Sequence, residues 1–524
     1  MFESGARRSP ARTASAVLLA LVALGGVLAF LVIGLLDDLD SARDTLTGSD
    51  FLARLGFSFA QAGIATAIGL AIGLPASWLL SRGGLPARGL LAFALAAPLA
   101  FPGVVVGLGL ERIADGQIVP RALVVGAHAI FATAAVTWLV TPAWAAGDRQ
   151  ATEDARTLGA GRLGAYLAGT GRYLLPAVRV TAALAFWYAF AAAGTVAILG
   201  GSDATTTESV LAFGEPTAIL RPALTDGLTA SSGAVALVQV GVGLLVLLLG
   251  GLRWPRPTTR RPSAHRAVLA IGSLYLLAVI GATWAPSVAV AAEAARDSAL
   301  GEVAGATVAG REGWQLLAWT GILGGLAALL ATGLAWLGSA FEASTEGGRR
   351  SGLGRLALLL PAALTGATIG WAGLVIADRA GFDLNRTYVL TIIAHALIAY
   401  PFAIRVLAVR RRTSRAILED AVLLGATERA VRWRWMGRRT LMALGSAALL
   451  SFVLSACEVA AASLLTPWEA TPAALGVLRG WESDGAGAIP APVYALGAVL
   501  TAVTVVAFAL AEWLRRAATR MEAG

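Results

Sequence analysis

The chain has 524 residues, of which 57% are hydrophobic and 14% charged, and its formal net charge is +9. So few charges exclude an ordinary soluble domain, and the single cysteine, Cys457, excludes an internal disulfide and a multi-cysteine metal site. Every basic residue is Arg, and without Lys no Walker A phosphate loop can form, so any ATP that drives this chain binds elsewhere.

Apolar runs of roughly 20 residues, the length a bilayer-spanning helix needs, recur about twelve times. The short alternating segments of a membrane β-barrel are absent. The fold class is therefore all-α integral membrane, with about twelve transmembrane helices. Arg7, Arg8 and Arg12 precede a first span at about Thr13–Leu36, which is too long for a signal peptide and lacks a small-residue cleavage site. Asp37, Asp38, Asp40 and Asp44 follow on the outer side. Span two covers about Leu52–Leu80, and span three, about Gly89–Leu110, contains Pro98 and Pro102, which must kink or break it. Span four covers about Arg121–Thr141, span five about Leu174–Leu199 and span six about Ser232–Leu252. An outer loop with Asp203, Glu208, Glu215 and Asp226 joins the last two.

The Pro/Arg-rich stretch at 253–265 blocks helix and reads as a cytoplasmic linker. It separates a first unit, 1–252, from a second, 266–524. The second unit repeats the order: about Arg266–Trp284, Trp314–Leu337, Leu356–Ala377 with Pro361, Tyr388–Val409, Leu441–Leu465 and Pro492–Leu514. Both termini then lie in the cytoplasm, and roughly three quarters of the Arg residues fall on that side, as the positive-inside rule demands. This pattern gives the basic balance to the bilayer rather than to a nucleic acid. Six spans per unit make the two units parallel repeats about an axis along the membrane normal.

One segment occurs twice. Glu153-Asp154-Ala155-Arg156-Thr157-Leu158-Gly159-Ala160 and Glu419-Asp420-Ala421-Val422-Leu423-Leu424-Gly425-Ala426 both read E-D-A-x-x-L-G-A, 266 residues apart. His128 and His395 stand 25 and 24 residues before the respective Glu. Thr152 suits a helix N-cap with Glu153 and Asp154 in the first turn, and Ser414 suits the same role in the second copy. Gly159 and Gly425 suit the turns that end these helices.

These twin segments resemble the E-A-A-x-x-x-G motif of binding-protein-dependent ABC importer permeases. Gly73-Leu74-Pro75 and Pro98-Leu99-Ala100-Phe101-Pro102-Gly103 look like early spans of that family, and the doubled form is similar to fused permeases for iron(III) and thiamine. The likeness covers nearly the whole chain, but Asp154 and Asp420 replace the motif's second residue. Leu175-Pro176 arrives about one helical turn late, and Met436-Gly437 stands where Leu-Pro is expected. The resemblance implies a solute path, no resident cofactor, and no ATP hydrolysis by this chain. It implies a cytoplasmic ATPase dimer docked at Glu153, Asp154, Ala155, Gly159, Glu419, Asp420, Ala421 and Gly425. It further implies an extracytoplasmic solute-binding protein and the inner or plasma membrane of a prokaryote. Iron(III) is the first expectation for the cargo, with thiamine or a phosphonate-type anion as alternatives. An ion-coupled secondary transporter is the rival from another class.

Glu458 is the sharpest single residue. An intramembrane carboxylate is costly and faces a cavity or a partner. It reads as a translocation-path residue or as a buried acid bonded to a neighbouring helix end. Direct metal ligation by Glu458 alone is not expected, since hard cations need several oxygens. His128 and His395 read as satisfied structural contacts, His265 as a solvated linker residue, and Trp433 and Trp435 as anchors at the interface or as contacts to the ATPase.

Overall fold

The computed structural model describes residues 25–29, 31–82, 84–147, 149–200, 204–214, 226–250, 266–296, 299–344, 360–381, 388–427, 430–431, 437–483 and 489–523. The linker at 253–265, with His265, and the Trp433 and Trp435 pair lie outside them.

The chain opens with α1 (Gly25–Leu36) and α2 (Leu39–Thr47). Asp38 caps α2 by accepting the Ser41 N–H at 3.0 Å, and the Ser41 hydroxyl with that N–H holds the Asp38 carboxyl below its usual pKa. Next come α3 (Ser49–Ser81) and α4 (Arg88–Ala96), which passes through a 3-10 turn at Ala97–Ala100 into α5 (Gly103–Ala114) with a bend of 98°. Pro98 and Pro102 produce that bend because neither can donate a helical hydrogen bond.

The path continues through α6 (Pro120–Ala145), α7 (Arg149–Thr157), α8 (Arg162–Tyr166), α9 (Arg172–Phe190), α10 (Gly194–Leu199), α11 (Thr207–Phe213) and α12 (Asp226–Gly250). Beyond the linker lie α13 (Arg266–Arg296), α14 (Ala299–Glu302) and a small hairpin. In it β1 (Thr307–Val308) pairs antiparallel with β2 (Arg311–Glu312). Ala309 and Gly310 both adopt positive φ at its turn, as a two-residue hairpin requires. The remainder is α15 (Gly313–Ser344), a 3-10 turn at Leu360–Ala363, α16 (Gly366–Ala380), α17 (Val389–Leu423), α18 (Gly437–Ala456), α19 (Ala460–Leu465), α20 (Ala473–Glu482) and α21 (Ala491–Ala523).

Among the described residues nine helices are long and apolar enough to cross a membrane, or ten if α4 and α5 form one bent span. The molecule is an all-α, multi-pass membrane protein. Of the twelve spans expected, the first begins outside the described residues, and the ninth is represented by α16, only 15 residues long. Spans five and eleven are not the single runs the sequence suggests. Both break, at 191–193 and at 457–459, and a short helix follows each break. At the second break the Glu458 side chain takes the first N–H groups of α19, which a continuous helix would have used itself.

Lipid tails are as apolar as leucine, so helices in a bilayer associate through close packing and polar contacts rather than through water exclusion. Here the first helix of each half lies against the other half. Val27 and Leu31 of α1 share a buried cluster with Ile369 and Trp371 of α16 and with Val240 of α12. Val290 and Ala294 of α13 share one with Val104 and Val105 of α5 and with Leu496 and Leu500 of α21. An ion pair fastens each arrangement, Arg379 with Asp37 and Arg112 with Glu293, the latter at 3.0 Å. Gly109 of α5 packs so tightly on α13 that a Cβ there would lie 2.1 Å from the Pro286 carbonyl oxygen. Gly109→Val is therefore expected to destabilise the fold by about 3 kcal/mol or more, read as a lowered melting temperature in detergent.

Candidate functional site: twin helix caps and two buried acids

The twin segments adopt the same backbone. In the first, Gly159 has φ +87°, its N–H donates to the Arg156 carbonyl at 3.0 Å, and the Ala160 N–H donates to the Ala155 carbonyl at 2.9 Å. In the second, Gly425 has φ +90°, with matching bonds to Val422 at 3.0 Å and from Ala426 to Ala421 at 2.9 Å. This is the Schellman helix end, in which a left-handed residue lets two N–H groups reach back to the last free carbonyls. The spacing A-x-x-x-G-A puts Ala at the two positions that such an end brings together. It is therefore a structural requirement written into both copies.

The side chains repeat as well. Glu153, Asp154 and Asp420 are exposed, and Ala155 and Ala421 are half-buried. Leu158 and Leu424 stand 88% exposed at the same position before each Gly. The Glu419 side chain lies outside the described residues. Both segments sit at one end of the bundle. Trp138, near the C-terminus of α6, donates to Glu512, near the C-terminus of α21, at 3.3 Å. Gly445 of α18 lies beside Leu514 of that same end.

Two capping assignments need correction. Helix α7 starts at Arg149, so Thr152 is inside it, and neither Glu153 nor Asp154 lies in its first turn. Ser414 is buried in the interior of α17, a single 35-residue helix that carries the second segment as an extension of its span. The Arg-rich sequence 410–418 has no Gly or Pro to stop that helix, whereas Gly147 interrupts the chain between α6 and α7.

In the bundle interior, Glu458 lies in the break before α19, with its side chain 9% exposed. Its Oε1 accepts the Ala461 N–H at 3.0 Å and its Oε2 the Ala462 N–H at 3.1 Å. Oε2 also lies 3.3 Å from His395 Nε2, and His395 Nδ1 lies 2.7 Å from Ser455 Oγ. Of the two readings left open by the sequence, the geometry supplies the bonded helix end. It also brings the carboxylate against the start of α16 in the same half, since a Cβ on Gly366 would come within 2.3 Å of Oε1.

A second acid, which the sequence assigned to an outer loop, is fully buried. Glu208 of α11 accepts the Ala367 N–H at the start of α16, at 2.9 Å. A polar chain surrounds it. The Thr207 N–H donates to Ser58 Oγ, the Thr207 hydroxyl accepts from Gln239 Nε2, and Gln239 Oε1 accepts from Thr365 at 3.2 Å and Thr368 at 3.0 Å. One acid from each half thus meets the N-terminus of α16, where the helix dipole favours negative charge. The signal for α11 was legible in Thr206-Thr207-Glu208-Ser209, whose Thr206 and Ser209 form a capping box.

His128 is equally enclosed, at 1% exposure, with Nδ1 2.6 Å from Gln61 Oε1. Among the described residues no group of three or more His, Cys, Asp or Glu could hold a metal. Comparison with protein-family models, with curated proteins and with solved structures finds no match to this chain.

Proposed function

We propose that this chain is the permease subunit of an ATP-driven, binding-protein-dependent importer, built from two parallel six-span repeats, 1–252 and 266–524. The observation that carries the reading is the twin helix end. Two equal caps, each presenting an exposed leucine at the same end of the bundle, suit a two-fold partner such as an ATPase dimer. Water-exposed leucines in a repeated backbone setting mark a docking surface better than a solvated loop. The partner's closure on ATP would move both caps and rock the two halves, which are tied crosswise by α1 and α13. The reading places the caps and both termini in the cytoplasm of a prokaryote, with a solute-binding protein at the opposite face. Selectivity then rests mainly with that binding protein, and iron(III) is the proposed cargo, with thiamine or a phosphonate-type anion as alternatives.

One observation favours a different reading. Two buried acids, Glu208 and Glu458, meet at the half–half contact, as an ion-coupled secondary carrier would require. Purification of the full chain from its native membrane separates the two. The importer predicts a co-purifying ATPase at two copies per chain. A chain that purifies alone and supports proton- or sodium-dependent uptake in liposomes overturns it.

A further inference from the structure

The two halves differ chemically at one place, and the difference outlines a ligand. Around the Glu458 carboxylate stand Gly366, the first residue of α16, His395 Nε2, and the N–H of Ala461, the second residue of α19. The first half has a counterpart of each. Gly103 opens α5 after a Pro-containing turn, His128 occupies α6, and Thr195 is the second residue of α10. The counterpart of Glu458 itself is Ala192, the middle residue of the 191–193 break.

A cavity lies there, with room for about one water-sized group, and Gly103, His128, Thr195, Phe101 and Tyr188 line it. Thr195 Oγ1 lies 2.6 Å from where a Cβ on Gly103 would be, as Glu458 Oε1 does at 2.3 Å on Gly366. The threonine hydroxyl therefore takes the place of one carboxylate oxygen, and the cavity takes the place of the other. His128 Nε2 is buried against it with no hydrogen-bond partner among the described residues. Gln61 Nε2 donates to the Ala189 carbonyl at 2.7 Å, so Gln61 Oε1 is the acceptor for His128, and Nδ1 carries the hydrogen. Nε2 is left to face the cavity.

We propose that this cavity binds one monovalent anion of about chloride size, taken up together with a proton on His128 Nε2. The donors suit an anion: the Thr195 hydroxyl, the N-terminus of α5 with its positive dipole end, and the protonated imidazole. An unpaired anion in so dry a site would be prohibitive, so the proton must accompany it. In the second half the chain supplies the acid itself, as Glu458 beside His395. The groups facing His128 leave it the one base for that proton. Gln61 of α3 is uncharged, α5 and α10 contribute Gly103 and Thr195, and α9 contributes the Tyr188 phenol, with the Cys457 thiol of the other half beside it. Among the described residues, no Asp, Glu or Arg lines the cavity.

The test uses the purified full chain, with chloride titrated against gluconate at constant ionic strength and unfolding followed by intrinsic fluorescence. The melting temperature is expected to rise with chloride, since a ligand bound only by the folded state stabilises it by mass action. Apparent affinity should strengthen by up to about tenfold for each pH unit lowered, because one proton binds with each anion. Ala192→Glu, which supplies the carboxylate in the chain, should remove the chloride dependence. Should that variant not accumulate, Thr195→Val, of nearly equal shape, should weaken chloride binding by about tenfold. Equal melting in chloride and gluconate, or a chloride effect that neither substitution changes, overturns the proposal.

Discussion

Glu458→Ala is expected to lower the stability of the folded chain by about 3 kcal/mol, and Glu458→Gln by clearly less. The carboxylate accepts two backbone N–H groups, those of Ala461 and Ala462, and both residues are fully buried. A buried donor left unsatisfied costs about 1–3 kcal/mol. Alanine strands both donors, whereas glutamine can still accept one of them through its carbonyl oxygen. Alanine also removes the acid beside His395 Nε2, so the imidazole must find another neighbour in a site 1% exposed. The opposing effect is the relief of desolvating a carboxylate, and it keeps the net loss near the cost of two N–H groups rather than well above it. Thermal melting in detergent measures the loss of stability, and uptake per folded molecule in vesicles measures any role of Glu458 in the path. An Ala variant that melts like the parent sinks the capping role. One that melts low but transports normally once folded leaves Glu458 a structural residue and removes it from the path.

The sequence carried the spans because a bilayer demands long apolar helices and the charges fall between them. It carried the α4–α5 bend because Pro98 and Pro102 leave the backbone no alternative. The Schellman ends were legible in the repeated Gly. The interior of the site was harder to read. A polar run such as Thr206-Thr207-Glu208-Ser209 is the same on paper whether it forms an outer loop or a short buried helix. Its burial is decided by Gln239 and Ala367, 32 and 159 residues from the atoms they satisfy. The breaks after Phe190 and Ala456 were hidden for a related reason. Nothing in Ala191-Ala192-Ala193 forbids helix, yet the chain breaks there, just before Gly194 packs against Val104 and against Val459 of the other half. Thr152 and Ser414 failed as caps because an N-cap residue is a signal only where the preceding chain cannot itself be helical, and both are preceded by good helix formers.

Leu158→Ser combined with Leu424→Ser is expected to leave melting unchanged and to weaken association with the ATPase by about 100-fold or more, with uptake lost in proportion. Both leucines are 88% exposed, so the isolated chain has almost no packing to lose. Burying one leucine side chain in a partner contributes roughly 1.5–3 kcal/mol. Two leucines then give about 3 kcal/mol at the low end, or about 100-fold at some 1.4 kcal/mol per factor of ten. The low end is the appropriate figure because buried area converts incompletely into affinity. Gly159→Val with Gly425→Val tests the backbone in the same assay. A β-branched residue at φ near +90° is strained by about 1–2 kcal/mol, enough to undo a Schellman end that faces solvent without unfolding the spans. The leucine pair removes the docking atoms and keeps the cap, and the glycine pair keeps the leucines and moves them. Loss of the ATPase in both variants, with unchanged melting of the solubilised chain, is the signature of a shaped docking surface. Loss in the leucine pair alone means that apolar contact suffices and the cap geometry is incidental. Full association and full uptake in both variants would remove the twin caps from the transport cycle altogether.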